Sequence, residues 1–208
     1  MNTQLESAQK NIITEQMKYV SEQENISVEQ LREEVAAGRV VIPANRLHIS
    51  TNLKPVGIGR LLLTKVNANV GTSSVSSSID TEIEKMKTAV EAGADAVMDL
   101  STGGDLYLTR QRLIAECPVP FGTVPIYETI KGRNVEEITP RIIIETIKKQ
   151  AEQGVDFFTL HAGILREHIP LTRKRVGGIV SRGGALLAKW MLHHNRQNPL
   201  YEMYDQLC

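Results

Sequence analysis

The amino-acid sequence predicts an α/β fold built on a parallel β-sheet. From about residue 57 onward, short runs of apolar or β-branched residues alternate with amphipathic segments of helical periodicity. A strand–helix unit recurs about every 30 residues, which is the spacing of parallel strands joined by crossover helices. The predicted strands carry few alternating polar residues, as expected when both faces of a sheet are covered.

Five segments are predicted to be strands of this sheet. Each is a short run rich in apolar or β-branched residues and bounded by turn or helix signals. In chain order they are residues 64–70, 94–100, 122–127, 155–161 and 176–181.

The helices of this part are predicted from their caps and from the spacing of their apolar residues. Residues 80–92 place Ile83, Met86 and Val90 on one face, and Gly93 ends this helix. The other predicted helices are 105–116, ended by Pro118, one that begins at Pro140 after the cap residue Thr139, and 184 to about 194.

Residues 1–45 are predicted to form a helical N-terminal arm, separate from an α/β domain at residues 46–208. The arm contains predicted helices at 13–24 and 27–38, the second with a capping box at its start and Gly38 at its end. We expect this arm to lack a strong core of its own.

The number of strand–helix units leaves two architectures open. One is a doubly wound open sheet. The other is a (β/α)₈ barrel, which needs eight units and typically about 250 residues, so that five units in 208 residues would be part of something longer. Residues 200–208 favour the second architecture, because they predict an amphipathic helix without a C-terminal cap.

Composition excludes several classes of function. The chain has 24 Lys and Arg against 24 Asp and Glu, so a nucleic-acid or anionic-membrane partner is not expected. The N-terminus lacks an apolar signal segment, and no apolar run approaches the roughly 20 residues that span a bilayer. Cys117 and Cys208 are far apart in sequence and form no CxxC motif. We expect a cytoplasmic protein with no metal ligands in this chain.

Functional groups follow every predicted strand. In parallel α/β folds, ligands bind beyond the carboxyl ends of the strands. The residues found there are Asn67 and Asn69, then Met98 and Asp99, then Tyr127, then His161, and finally Ser181, Arg182, Gly183 and Gly184. A purely structural end of the sheet would carry more Ala, Val and Gly, so we expect a binding site at this edge.

Several of these residues also have a structural interpretation. Asn69 could shape a turn at Gly71, and Met98 could fill the core. Tyr127 and His161 could be buried groups whose hydrogen bonds are satisfied within the fold.

Residues 181–184 give the most specific local signal. A strand that runs into a glycine-rich turn and then a helix brings backbone N–H groups and a helix N-terminus to one point, which suits a phosphate or another anion. The alternative is a glycine-bearing turn that only permits tight packing.

Seven motifs give the chain a resemblance to a known family. They are IPAN at 42–45, KVNANVG at 65–71, AVMDLSTG at 96–103, GTVPIY at 122–127, QAEQGVD at 150–156, HAG at 161–163 and IVSRGG at 179–184. The motifs are long, ordered and spread over nearly the whole chain. In them the sequence resembles the phosphomethylpyrimidine synthase, or ThiC, family of thiamine biosynthesis.

The resemblance implies a fold, a reaction and cofactors. The fold is a (β/α)₈ barrel, which is usually a homodimer. The reaction rearranges 5-aminoimidazole ribotide to hydroxymethylpyrimidine phosphate, using a radical that a [4Fe-4S] cluster generates from S-adenosylmethionine. The family also binds zinc.

The resemblance also implies which residues contact the ribotide, although it names no catalytic acid or base in this chain. The implied contacts are Asn69, Met98, Tyr127, His161, Ser181, Arg182 and Gly183, all of which lie at predicted strand ends. The CxxCxxxxC cluster motif and the metal-binding histidines of the family lie farther downstream, and this sequence has neither. The resemblance therefore covers roughly the N-terminal half of such an enzyme.

Three other interpretations stay open at this point. The related 5-hydroxybenzimidazole synthase of anaerobic cobamide biosynthesis uses the same ribotide and the same radical chemistry. An ordinary sugar-phosphate enzyme would work without a cluster. A non-catalytic chain would bind the ribotide, or another subunit, without turnover.

Overall fold

The computed structural model describes residues 2–73 and 78–208. Its strands are β1 (Val40–Val41), β2 (Ile58–Gly59), β3 (Asn67–Val70), β4 (Ala96–Asp99), β5 (Phe121–Thr123) and β6 (Phe157–Phe158). Its α-helices are α1 (Gln4–Gln9), α2 (Glu15–Glu24), α3 (Val28–Ala36), α4 (Arg46–Ile49), α5 (Ile79–Glu91), α6 (Leu106–Glu116), α7 (Pro125–Thr129), α8 (Pro140–Glu152), α9 (Arg182–His194), α10 (Pro199–Glu202) and α11 (Tyr204–Leu207). Two 3-10 helices cover Val135–Glu137 and Arg166–Lys174.

Local capping explains where the predicted helices begin. Helix α8 starts at Pro140, and the hydroxyl of Thr139 accepts a hydrogen bond from the Ile142 amide at 3.3 Å. Asp105 caps α6 in the same way, since its carboxylate accepts from the Leu108 amide at 3.0 Å. The helix predicted over residues 200–208 is divided, because α10 and α11 are separated at Met203.

The central sheet has four strands in the order β3-β4-β5-β6, and every pair in it is parallel. This confirms the predicted parallel sheet and the crossover helices between its strands. The described residues form no closed barrel, so the predicted barrel with five units is not confirmed, and the structure supports a mixed α/β fold.

The prediction of a fifth strand at residues 176–181 is wrong. These residues are all described and pair with no strand. Gly178 has a left-handed φ of +53°, and its amide donates to the Arg175 carbonyl at 3.2 Å, which closes a turn. A chain that turns here cannot continue the extended conformation that pairing requires.

The predicted third strand, 122–127, is shorter than expected. β5 ends at Thr123, and Pro125 is the first residue of helix α7. Proline has a φ that suits the first turn of a helix and lacks the N–H that a ladder needs, so the chain leaves the sheet at this point.

Two apolar clusters hold the sheet and its helices together. The first contains Met86 of α5, Leu113 of α6, Val97 of β4 and Phe121 of β5, and each of these side chains is fully buried. The second lies around α7, α8 and α9, and Trp190 donates from its ring N–H to the Ile138 carbonyl at 2.8 Å within it. Helices α5 and α6 therefore pack against the sheet, whereas Asn67 and Asn69 of β3 stay exposed, contrary to the expectation that both faces are covered.

The N-terminal arm has a core of its own, contrary to the sequence-based expectation. This cluster consists of Ala8, Met17, Val20, Leu31, Val35, Val40 and Ile42. Helices α1 to α3 surround it, and the antiparallel pair β1–β2 continues it toward residue 59. The short helices conceal this core in the sequence, because each contributes only one or two of its side chains.

The carboxylate of Asp156, just ahead of β6, joins the arm to the sheet. Its Oδ1 accepts from the Asn45 amide at 2.6 Å, and its Oδ2 accepts from the Phe121 amide at 2.7 Å. Oδ2 also lies 2.6 Å from Nδ1 of His48, and both of these side chains are completely buried. One carboxylate thus holds α4, β5 and β6 at a common point.

His48 is hydrogen-bonded at both ring nitrogens. Its Nε2 lies 2.7 Å from the Cys117 carbonyl, which can only accept a hydrogen bond. Its Nδ1 faces the Asp156 carboxylate, which also accepts from two backbone amides, so both ring nitrogens contact groups that the fold holds in place.

We expect Asp156→Ala to lower the free energy of unfolding by about 3–5 kcal/mol, because it leaves His48 buried without its partner. The matched control is Arg141→Ala, which removes an exposed ion pair with Glu145 and is expected to change that free energy by less than about 0.5 kcal/mol. Urea denaturation followed by circular dichroism measures both. Similar losses in the two variants would contradict the proposed importance of Asp156.

Candidate functional site

Two of the predicted site residues, Asn69 and Met98, lie on the sheet in a defined register. Asn69 of β3 pairs with Met98 of β4, Met98 with Gly122 of β5, and Gly122 with Phe157 of β6. Residues that pair directly across parallel strands project from the same face of the sheet. Asn69 and Met98 are therefore neighbours on one face, as the strand-end interpretation requires.

Apolar side chains pack along this row of paired residues. A Cβ atom on Gly122 would lie 2.2 Å from Cε2 of Phe157, so the phenyl ring covers the glycine and requires it. The Met98 sulfur accepts a hydrogen bond from the Thr159 hydroxyl at 3.1 Å. Met98 is half-buried against the second apolar cluster, so its structural interpretation is correct for part of the side chain.

Asn69 is exposed and is held by its neighbour on the same strand. Asn67 donates from its amide nitrogen to Oδ1 of Asn69 at 3.0 Å. This bond uses the Asn69 oxygen, so the NH₂ group of Asn69 remains to donate to a ligand.

His161 lies on the loop after β6 and is positioned by a residue that the sequence analysis missed. The side chain of Asn198, which is completely buried, donates to the carbonyls of His161 at 2.8 Å and Ile164 at 2.9 Å. Its Oδ1 accepts from the Leu200 amide at 3.0 Å, so Asn198 also caps α10. The Asn198-Pro199 pair at a helix start is the sequence signal that could have identified it.

The imidazole of His161 is half-buried and packs against Gly183 at the start of α9. Its Nδ1 is buried and has no hydrogen-bond partner among the described residues. Burial lowers the pKa of His161 from its ordinary value of 6.5, because desolvation disfavours the charged ring. The ring is therefore neutral at neutral pH.

Ser181 and Arg182 form the start of α9, two residues earlier than predicted. Ser181 is the N-cap, and its hydroxyl oxygen accepts from the Gly184 amide at 3.1 Å. The Ser181 hydroxyl hydrogen is thus the part left for a ligand. Arg182 is exposed, and its guanidinium carbon lies 5.4 Å from the centre of the Tyr127 ring, within range of a cation–π contact.

Tyr127 lies in helix α7 instead of at a strand end, which corrects its predicted placement. A polar network anchors this helix through the residue that follows Tyr127. Glu128 accepts from the guanidinium of Arg110 at 2.8 Å and from the side-chain amide of Gln150 at 2.6 Å. Gln150 accepts in turn from the Thr123 hydroxyl at 2.6 Å. These contacts tie α7 to α6, α8 and β5.

The seven predicted residues therefore form two adjoining groups. Asn69 and Met98 lie on the sheet, and the remaining five lie where α7, the loop after β6 and the start of α9 meet. Thr159 connects the groups, since it bonds Met98 and precedes His161 by two residues.

A cavity of about 850 Å³ lies elsewhere, between the arm and the amino side of the sheet. Residues of the arm and Asp156 line it, and none of the seven predicted residues does. The candidate site at the carboxyl edge is therefore separate from this cavity.

The described residues do not supply the ligands of an iron–sulfur cluster or a zinc ion. No group of three or more His, Cys, Asp or Glu side chains among residues 2–73 and 78–208 is placed to hold a metal. Cys117 is buried, and desolvation raises the pKa of its thiol to about 12, so it is not a thiolate near neutral pH. Within the same residues, no helix combines the length and apolarity needed to cross a bilayer.

Comparison with known proteins decides the family. A family model described as the radical SAM ThiC family matches residues 3–208. The chain belongs to the radical SAM ThiC family. Its similarity extends to curated members over the whole chain: it is 53% identical to the phosphomethylpyrimidine synthase of Natronomonas pharaonis. It is 52% identical to the phosphomethylpyrimidine synthase in each of two strains of Halobacterium salinarum.

The chain covers less than half of these ThiC-family relatives. All of its residues align, but they correspond to 43% of the Natronomonas protein and 44% of the Halobacterium proteins. This agrees with the resemblance to the N-terminal part of the family that the sequence motifs carry.

We expect the stability of the chain to fall as the pH is lowered through the range below about 6.5 in which the unfolded chain binds a proton at His161 and the folded chain does not. His161→Gln should reduce this dependence, since glutamine does not titrate. The measurement is the urea midpoint of both proteins between about pH 5.5 and 7.5. Equal slopes for the two proteins would contradict the lowered pKa of His161, and the upper end of this pH interval, where neither state binds the proton, is the internal control.

Proposed function

We propose that this chain is the ribotide-binding part of a phosphomethylpyrimidine synthase, a carbon–carbon lyase of thiamine biosynthesis. The reaction is the rearrangement of 5-aminoimidazole ribotide to 4-amino-5-hydroxymethyl-2-methylpyrimidine phosphate. One observation supports the proposal: the chain is 53% identical over its whole length to a relative that bears this name, and its fold brings polar and aromatic groups near the carboxyl edge of the sheet.

Each residue has a proposed part in holding the ribotide. Arg182 and the first turn of α9 would bind its anionic end, since a guanidinium donates parallel hydrogen bonds and a helix N-terminus favours negative charge. Tyr127 and Met98 would form an apolar wall beside the imidazole of the ligand. Asn69 would donate to a polar group, and His161 would hydrogen-bond on the other side.

Ser181 and Gly183 complete the proposed site. The Ser181 hydroxyl is close enough to the first turn of α9 to donate to the same anionic group that Arg182 binds. Gly183 is buried, and its lack of a side chain leaves the space that the His161 imidazole occupies beside this turn.

The radical chemistry is proposed for the whole protein. A [4Fe-4S] cluster and S-adenosylmethionine would supply the radical that begins the rearrangement, and zinc would be a further bound metal. The donor set of the described residues does not fit either metal centre, so we assign the seven site residues to substrate binding. We also propose that the whole protein is a cytoplasmic homodimer.

A benzimidazole-forming enzyme would bind the same ribotide, and product analysis distinguishes the two reactions. The names of the relatives favour the pyrimidine product. Chromatography with mass detection of the product made by the whole protein tests this, and 5-hydroxybenzimidazole in place of the pyrimidine phosphate would overturn the proposal.

This chain on its own is expected to cleave no S-adenosylmethionine, since a cluster of this kind is held by cysteine thiolates that the chain does not supply. The test is anaerobic reconstitution with iron and sulfide, followed by assay for 5′-deoxyadenosine, with a relative of full length as the positive control. A stable cluster absorbance together with 5′-deoxyadenosine in the sample of the isolated chain would refute the expectation.

Arg182→Ala is expected to weaken ribotide binding about ten- to a hundredfold, the value of a charge-assisted hydrogen bond. Arg182→Lys should restore only part of the affinity, because an ammonium lacks the planar fork of the guanidinium. Calorimetric titration of 5-aminoimidazole ribotide measures both, with folding checked by circular dichroism. Arg141→Ala, on the exposed side of α8, is the matched control.

Unchanged affinity in both Arg182→Ala and His161→Ala would remove the assignment of this site. A loss in Arg141→Ala as large as that in Arg182→Ala would do the same, since it would show an effect of net charge alone.

A further inference from the structure

Gly183 lies directly against the imidazole edge of His161. A Cβ atom built on Gly183 would be 2.4 Å from Cε1 and 2.6 Å from both Nδ1 and Nε2 of that ring. Real Cβ atoms essentially never approach other heavy atoms within 3.0 Å, so an alanine at this position and the present ring cannot coexist. Three ring atoms share the contact, so a small rotation of the imidazole does not relieve it.

The backbone of His161 cannot shift to move the imidazole away from position 183. Asn198 holds the backbone of the loop at His161 and at Ile164, and Asn198 is itself completely buried. The backbone of His161 is fixed on one side of the ring and the α9 turn lies on the other. The imidazole can therefore move only by changing its rotamer. A rotamer change would carry the imidazole away from its packing position against Gly183.

Backbone conformation does not explain the glycine. Gly183 lies within helix α9 and is absent from the glycines with a positive φ. In a helix, alanine is favoured over glycine. The neighbouring Gly184 differs, because a Cβ there would meet its nearest atom, a methyl carbon of Ile179, at 3.3 Å, a distance that a small side-chain shift accommodates.

We propose that Gly183 is a positioning residue for His161, which acts by leaving the space into which the imidazole packs at the start of α9. The ring position is a property of the fold and is independent of the ligand. Its consequence for ribotide binding rests on the proposed function. This differs from a direct contact of the Gly183 backbone with an anion, which would not depend on the side chain at position 161.

A double-mutant cycle in the full 208-residue chain separates these two explanations. Gly183→Ala alone should lower the thermal midpoint by at least about 4 °C, because it overpacks the ring. In the His161→Ala background the same substitution should raise the midpoint by about 2 °C, because the clash is gone and the helix propensity of alanine remains. Gly184→Ala is the matched control and should shift the midpoint equally in both backgrounds.

A spectroscopic measurement reports on the ring itself. The Cε1–H resonance of His161 should shift in Gly183→Ala and stay in place in Gly184→Ala, as seen in heteronuclear NMR spectra of the imidazole groups. An equal effect of Gly183→Ala on stability in both backgrounds, or an unmoved His161 resonance, would overturn the proposal.

Ribotide titration distinguishes a failure of this proposal from a failure of the proposed function. With both correct, Gly183→Ala and His161→Ala each weaken binding about tenfold, and the double variant is no weaker than either single variant. Stability coupling with unchanged ribotide affinity supports the positioning role and counts against the proposed function. Additive losses of affinity count against the positioning role.

Discussion

The buried carboxylate of Asp156 is the interaction on which the arrangement of the chain depends. It accepts backbone hydrogen bonds from Asn45 and Phe121 and contacts His48, so the arm, β5 and β6 meet at one side chain. A buried carboxylate is tolerated only when its oxygens are fully paired, so this junction requires each of its partner groups. The polar groups of this junction are hydrogen-bonded to one another at the amino side of the sheet. The carboxyl edge is therefore the edge available to bind a ligand.

The parts of the fold that follow from local chemistry could be predicted from the sequence. Thr139 and Asp105 cap helices, and their hydroxyl and carboxylate groups act on residues three positions away. The expected fifth strand failed for a reason that apolarity does not reveal, since Gly178 turns the chain within an otherwise apolar run. β2 was missed because it is two residues long and pairs with a strand near residue 40, beyond any local pattern.

The candidate site divides in the same way. Strand-end position alone selected Asn69, Met98 and His161, because parallel strands deliver their last residues to one edge. The groups that hold His161 and helix α7 were missed, since Asn198 and Glu128 act through contacts with residues distant in sequence. Tyr127 shows both effects. Its position after the third strand was predicted, but helix α7, which contains it, was not.

Because Cys117 is buried, the folded chain has a single reactive cysteine. Alkylating and oxidising reagents act on the thiolate, and the elevated pKa of Cys117 and its lack of exposure keep that species out of reach. The sequence contains one other cysteine, Cys208, which is exposed. A fluorophore or spin label applied to the folded chain would therefore attach at Cys208 without any substitution. Unfolding would expose Cys117 and add a second reactive thiol.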